Sequence, residues 1–534
     1  MTAWEGRHEM GSSKSLTLRD RLAWLADGSA DQPFLISRDP SGASQFLTYG
    51  QVGDLAQRTA GLFESLGVSK GDTIHVQLGN CPQFLACLFG AAQLGAVIVP
   101  TNASASIDDV TYVTSHAGCR VSVVGLDHAS VAVSAQEMVP EIGHVVSVGG
   151  TFDSTVDYDA AVGAATSPRR RVGVDGTDVA AIVYTSGTTG WPKGVMVTNS
   201  NLLFAGDAVG SLLRVRPDDR WLVTLPLSHM NALSYSTMSA LCAGGSIALV
   251  ERFDPAGWVR AARDLGASLA SLFAVHARQV LACEAQPGDD ANPLRLVLFA
   301  VHMSGEERER FERRFGAELI QVYGLTETLA PTLCDPAYGP RQPDTVGRPT
   351  LWSEVRLVDE TGADVPVGGD GELLVRGEPG HTLMAGYFRR PDDTAATMTD
   401  GWFRTGDRLR RERDDFFTFL GRSSEVIKPG ADNVSAVEVE RVLVEHPAVA
   451  DASVVGARDE TGDECIVAYI VVRDEDDATP HEILSWAQDR LADYKVPRRV
   501  IQVRDLPRGP VGKVAKATLA SLSPVATSDD VVTR

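Results

Sequence analysis

The stretch VAAIVYTSGTTGWPKGVMV, Val179 to Val197, sets two apolar runs around three threonines, one serine, three glycines and one lysine. VAAIVYT reads as a buried strand. The glycines let backbone approach an anion closely, and the hydroxyls and amides can donate to it. A polyanion such as a nucleotide triphosphate is the ligand this composition points to. A Walker A loop needs GxxxxGK followed by Ser or Thr and then a helix. Here Gly194 follows Lys193, and VMV reads as a second strand. The phosphate loop is therefore expected between two strands of a sheet.

Outward from this hairpin the chain alternates helix and strand as far as about residue 330. TYGQVGDLAQRTAGLFESLGV has helical spacing and GDTIHVQL reads as a strand. VSVVGL, WLVTLPL, SIALV and LRLVLFA read as short buried strands, a pattern of layered α/β sheets. FLACLFGAAQLGAVIVP contains small residues and stops at Pro100, so it reads as a buried helix running into a strand, with no membrane span. From about 345 to 420 the texture is turn-rich and β-like, with Thr361-Gly362 and Gly368-Gly369 as turn signals. Beyond Gly421 comes an α+β texture, in which HEILSWAQDRLADYKVP reads as a helix ended by Pro497. The expected fold class is α/β: a large N-terminal domain of several subdomains, including the β subdomain, and a small α+β C-terminal domain.

At 534 residues the chain exceeds one ordinary core. Its net charge of -21 argues against a general nucleic-acid binder. The seven cysteines form neither a CxxC pair nor a zinc spacing, which favours a reduced, cytoplasmic setting. The N-terminus has no apolar signal core. Lysine is rare, and Lys193, Lys428 and Lys513 all fall in glycine-containing stretches.

YTSGTTGWPKG (184–194), YGLTET (323–328), GWFRTGD (401–407), GRSSEVIKPGADNVSAVEVE (421–440) and LPRGPVGKVAKATL (506–519) together resemble, in order and spacing, the motifs of the acyl-adenylate-forming (ANL) superfamily. That superfamily includes acyl-CoA synthetases, adenylation domains and luciferases. FAVHMSGEERERFERRFGAELIQVYGLTET and DDFFTFLGR look most like its crotonobetaine/carnitine-CoA ligase branch. The resemblance implies a domain near 1–420, with the β subdomain at about 345–420, and a mobile domain at 421–534. It implies ATP, Mg²⁺ and coenzyme A, an acyl-adenylate formed with release of pyrophosphate, and transfer of the acyl group to a thiol after the small domain rotates.

The resemblance also implies roles. Thr185, Ser186, Gly187, Thr188, Thr189 and Lys193 would cradle the β- and γ-phosphates. Thr326, in Tyr323-Gly324-Leu325-Thr326, would contact the α-phosphate and Glu327 would hold Mg²⁺, a hard cation suited to a carboxylate. Asp407 would accept the ribose hydroxyls with support from Arg422, and His302 would border or stack on the adenine. Lys513 would bridge the carboxylate and α-phosphate as charge develops. Lys428 and Asn433 would approach the AMP and acyl group, and His229 would gate the acyl pocket.

Asn231, Ala232, Tyr235, Phe273, Ala300 and Ala330 are the candidate pocket positions; several are small and none carries a full charge. They point to a roomy, mostly apolar pocket for a bulky or cyclic acid, such as a secondary-metabolite terpenoid acid. LPLSHMNALS lacks the aspartate that would pair an α-amine, so an α-amino acid is disfavoured. Coenzyme A is the simplest thiol and a free-standing carrier protein the second. Two positions depart from the family pattern. Ser424 stands at the hinge, and Ala431, after Gly430, stands where a glycine admits the pantetheine arm. Rival readings are an enzyme that stops at the adenylate, a luciferase-like oxygenase and a non-catalytic nucleotide-binding regulator. A homodimer is common among such relatives.

Overall fold

The computed structural model describes residues 15–38, 42–169, 171–185, 192–337, 339–422, 426–427, 434–458, 464–473, 476, 478–492, 495–509 and 514–522. Two compact units emerge: 1–354 with 375–403, and 355–374 with 404–534.

Among the described residues, the first unit carries two large sheets. One has eight strands in the order Gly386–Tyr387, Lys193–Thr198, Val179–Thr185, Val97–Pro100, Thr73–Gln77, Cys119–Gly125, His144–Val148 and Val156–Asp157. The other has nine, from Arg348–Pro349 through Leu333–Cys334, Glu318–Tyr323, Leu296–Ala300, Leu269–Phe273, Arg220–Val223, Ser246–Val250 and Pro33–Arg38 to Ser44–Thr48. Most neighbours within both sheets run parallel. Their near-continuous Val, Ile and Leu runs fit strands covered on both faces. On the nine-stranded sheet, Leu222, Ala270, Leu272, Val297 and Phe299 pack with Trp258, Phe311 and Phe315 in one buried cluster.

The hairpin expected around the phosphate loop is present. Val179–Thr185 pairs antiparallel with Lys193–Thr198, and Thr185 faces Lys193. The helix expected at 48–68 spans Tyr49–Ser65, started by a Thr48/Gln51 capping box. FLACLFGAAQLGAVIVP forms the helix Pro82–Leu94 and the strand Val97–Pro100. None of the described helices is long and apolar enough to cross a membrane.

The second unit is also mixed α/β. Trp402–Arg411, most of which lies in it, pairs antiparallel with Phe417–Arg422 and sets Asp407 opposite Arg422. Val449–Arg458, Glu464–Val472 and Arg499–Gln502 form a three-stranded sheet. Its core is built with the helices Ala436–Val444 and Pro480–Gln488 through Val439, Leu443, Val454, Ile470 and Ile483.

Two local expectations change. The helix expected to run up to Pro497 stops at Gln488. Leu491 turns back against the core, and Lys495 Nζ reaches Glu438 Oε1 at 2.6 Å, so tertiary contacts end the helix first. The β-like stretch around 345–420 contains a short helix, Pro391–Thr397, opened by Pro391, Asp392 and Asp393. Proline at the first position and acids in the first turn favour that start.

Candidate active site

Glu327 lies in a tight turn that follows the strand Glu318–Tyr323. Thr328 ties this turn together: Leu325 N–H donates to its Oγ1 at 2.9 Å, and that hydroxyl lies 3.1 Å from the Leu325 carbonyl. Leu329 then sits at φ 63°, ψ −45°, and Ala330 N–H donates to the Thr328 carbonyl at 2.6 Å. This is a γ-turn of the strained, positive-φ kind. Such backbone costs about 1–3 kcal/mol, of the same order as the ~1.5–3 kcal/mol gained by burying a leucine side chain. Leu329 is fully buried, so the site for a side chain offsets the strain of its backbone.

The turn holds Glu327 from two sides. Met384 N–H donates to its carbonyl at 2.9 Å, and the Tyr387 hydroxyl donates to Oε1 at 2.8 Å. Lys193 Nζ lies 4.9 Å from the centroid of the same Tyr387 ring and 3.0 Å from Asp393 Oδ1. Hydrogen bonding to Lys193 holds the Asp393 carboxyl below the usual carboxylate range. Strand pairing explains the convergence, because Tyr387 is registered against Val195, two residues beyond Lys193. A cation that suits phosphate and a carboxylate that suits a hard metal thus flank one tyrosine. No basic side chain among the described residues pairs with Glu327, so its charge is available to a divalent ion. The donor set fits Mg²⁺-nucleotide binding. Thr185 closes its strand with Oγ1 3.5 Å from the Lys193 carbonyl, and Thr326 is half-buried beside Glu327. Ser186, Gly187, Thr188 and Thr189 lie outside the described residues.

The acyl-side candidates fall on neighbouring elements of the same unit. His229, half-buried, precedes a π-helix spanning Asn231–Met238, an uncommon winding often found at functional sites. Ser and Thr side chains bond back within it; Thr237 Oγ1 donates to the Ala232 carbonyl at 2.8 Å. Tyr235 reaches the turn that carries Glu327: a Cβ placed on Gly324 would come within 2.7 Å of its hydroxyl and 3.1 Å of the Ala330 carbonyl. Gly324 is required by that approach. Burial pushes the Tyr235 hydroxyl pKa up, so it remains a neutral phenol. Phe273 and Ala300 are partners at the ends of adjacent strands. Asn231, Ala232, Tyr235 and Ala330 are buried.

Near these positions, Thr224 Oγ1, Ser228 Oγ and Asn231 Oδ1 are buried without a hydrogen-bond partner among the described residues. Unpaired buried oxygens are costly, about 1–3 kcal/mol each, and are suited to accept from a ligand. His302 Nε2 lies 3.7 Å from Asp344 Oδ1, and the His302 carbonyl accepts from Arg278 at 2.8 Å. Arg278 also grips Glu307 at 2.6 Å. Burial alone would raise the Glu307 pKa, but these bonds hold it below the usual range.

In the second unit, Asp407 is almost fully buried and Arg422 Nε lies 3.2 Å from its Oδ1. Its N–H donates to Thr405 Oγ1 at 3.0 Å. Lys428, Gly430, Ala431, Asn433, Lys513 and Ser424 lie outside the described residues. Tyr387, Asp393 and Ser234 escaped the sequence reading. Asp393 had a signal in the helix start PDD, but its place beside Lys193, like that of Tyr387, only the sheet register reveals.

A model of the AMP-binding enzyme family matches residues 22–388, and one of the AMP-binding enzyme C-terminal domain matches 438–513. The chain belongs to the AMP-binding enzyme family. It is 31% identical over 512 residues to a crotonobetaine/carnitine–CoA ligase of Salmonella arizonae, covering 93% of this chain and 98% of that protein. The ligase of the same name from Escherichia coli K12 is 30% identical over 511 residues, covering 93% and 98%. A benzoate CoA ligase from Burkholderia xenovorans LB400 superposes with TM-score 0.85 at 25% identity, over 95% of this chain and 100% of the other. An anthranilate CoA ligase in complex with anthranoyl-AMP shares the fold with TM-score 0.87 at 22% identity, over 95% and 97%. The protein is an AMP-forming acyl-CoA synthetase that uses ATP, Mg²⁺ and coenzyme A.

Proposed function

We propose that the enzyme activates a bulky or cyclic carboxylic acid in the cytoplasm, with the first unit's Lys193, Thr326 and Glu327 serving the nucleotide. The observation that carries this assignment is the Lys193–Tyr387–Glu327 arrangement. A carboxylate oxygen attacks the α-phosphorus, its new bond to phosphorus forming as the bond to pyrophosphate breaks. Lys193, with Thr185 and the loop Ser186–Thr189, holds the departing phosphates. Glu327 would hold Mg²⁺, which would supply charge neutralisation to the phosphates. Thr326 orients the α-phosphate, Asp407 and Arg422 hold the ribose, and His302 borders the base. Lys513 stabilises charge developing on the carboxylate and α-phosphate. Residues 421–534 act as the mobile domain in this scheme, with Lys428 and Asn433 near the reacting groups in one or other conformation. The thiol of coenzyme A then displaces AMP, its proton leaving to solvent, and Gly430-Ala431 borders the pantetheine arm.

The acid occupies the pocket formed by Asn231, Ala232, Tyr235, Phe273, Ala300 and Ala330, with His229 at its mouth. Small residues leave room for a ring system, as in a secondary-metabolite acid. The Asn231 oxygen, unpartnered among the described residues, favours an acid that also carries a hydroxyl or another donor. The cytoplasmic placement is supported by the cysteines, all seven of which are free thiols.

Pyrophosphate release with Mg-ATP across a panel from carnitine through fatty and aryl acids to polycyclic terpenoid acids, with and without coenzyme A, tests this reading. A ring-bearing acid should give the highest kcat/KM, and an acyl-CoA mass should form only when coenzyme A is present. A preference for carnitine or other short charged acids contradicts the substrate assignment. Pyrophosphate without thioester points instead to a carrier-protein acceptor. Light scattering of the same sample distinguishes monomer from homodimer.

A further inference from the structure

The wall assigned to the acid and the turn bearing Glu327 are far apart in sequence, yet they touch at two places. Ser234 Oγ lies 3.0 Å from the Leu329 carbonyl and 2.6 Å from the Met230 carbonyl, so its proton bridges the π-helix and the turn. One residue on, the Tyr235 hydroxyl abuts Gly324, where even a methyl group would collide. Adjacent residues of the π-helix therefore brace both sides of Thr326–Thr328. The braced point is the strained one. Leu329 has a left-handed φ of 63°, while glycine alone adopts such backbone at no steric cost. Its carbonyl orientation is fixed by whatever holds that peptide, and Ser234 is the side chain that does so.

We infer that Ser234 is a positioning residue for the nucleotide half of the site. By holding the Leu329 γ-turn, it sets the direction in which Glu327 leaves the backbone. The Met384 N–H and Tyr387 hydroxyl fix Glu327 at its carbonyl and carboxylate. Ser234 fixes the peptide two residues downstream. Without it, the strained turn relaxes and the carboxylate swings away from the geometry those two donors define. The π-helix thereby couples the acyl pocket wall to metal-nucleotide binding. The inference rests on the reading of Glu327 as the Mg²⁺ ligand.

The test is calorimetric binding of ATP to the full-length protein, without acid, once with Mg²⁺ and once with EDTA. Wild-type protein should bind ATP more tightly with Mg²⁺. Ser234→Ala should lose about fivefold of that Mg²⁺-dependent advantage, the worth of one hydrogen bond, with its affinity in EDTA unchanged. Ser234→Thr should restore most of it. In a Leu329→Gly background, where the turn carries no steric strain, Ser234→Ala should cost less than ~2-fold. Thermal melts of each variant establish that it is folded. Equal Mg²⁺ advantages in wild type and Ser234→Ala overturn the positioning role, as does an equal weakening with and without Mg²⁺, which marks a merely structural serine. Absence of any Mg²⁺ advantage in wild type removes the Glu327 reading itself, and the inference falls with it.

Discussion

Glu327 and Asp407 are both acids in glycine-containing motifs, yet their surroundings differ. Glu327 is half-buried and receives one neutral hydroxyl, from Tyr387. Asp407 is almost fully buried and has a guanidinium 3.2 Å away. Burying a carboxylate without a cation is strongly destabilising, and Arg422 offsets that cost for Asp407. Glu327 has no basic partner among the described residues, the arrangement expected of a site for a cation that would arrive with a nucleotide. Two similar side chains thus differ in whether a basic partner is already built in.

Abolishing the Glu327 charge should have the largest effect. Glu327→Gln should lower acid-dependent pyrophosphate release by on the order of 10²–10³, as for loss of a principal electrostatic group; initial rates at saturating Mg²⁺ check this. Asp407→Asn should weaken ATP by about 1–3 kcal/mol, seen as a raised KM with a smaller change in kcat. The comparison sharpens with 2′,3′-dideoxy-ATP, which should bind wild type less tightly than ATP but bind the variant nearly as tightly as ATP. Tyr387→Phe keeps the ring beside Lys193 and removes only the donor to Glu327. About a tenfold loss of activity is expected at limiting Mg²⁺, shrinking as Mg²⁺ is raised; an undiminished loss at saturation would break the link between the two residues.

How much of this was legible in advance follows from what was contiguous. Lys193, Thr326, Glu327, Asp407 and Arg422 sit in short motifs whose order identified the family, and Val179–Val197 revealed its hairpin through two apolar runs. Tyr387 and Asp393 were not legible, because a strand pairing almost two hundred residues away brings them to Lys193. The π-helix was hidden for another reason. NALSYSTM carries no periodicity that separates i→i+5 winding from an ordinary helix, and its Ser234 contact depends on a strained turn nearly a hundred residues on. The unpaired oxygens of Thr224 and Ser228 were not legible, because only burial among the described residues shows them.

A third titratable group shows the opposite solution to burying a charge. His75 is fully enclosed between Ser122 Oγ at 2.8 Å and Thr101 Oγ1 at 2.9 Å, and burial lowers its pKa to about 3. Its folded pKa lies below its unfolded value, so its stabilising contribution is complete above about pH 6.5 and is lost progressively as pH falls toward 3. The loss amounts to at most about 1.4 kcal/mol per pH unit. His75→Gln should flatten the dependence of Tm on pH between 4 and 6.5 and change the neutral Tm by less than that slope predicts across the window. An unchanged acid slope would show that other groups govern it.

The most direct test of the account is acid-dependent exchange of labelled pyrophosphate into ATP, without coenzyme A, by wild type and Glu327→Gln at equal Mg²⁺. Exchange isolates acyl-adenylate formation from thioester transfer. The account predicts rapid exchange by wild type with its preferred acid and a loss of at least on the order of a hundredfold in the variant. Equal exchange by the two proteins, or none by wild type with an acid that it converts to the CoA thioester, would contradict it.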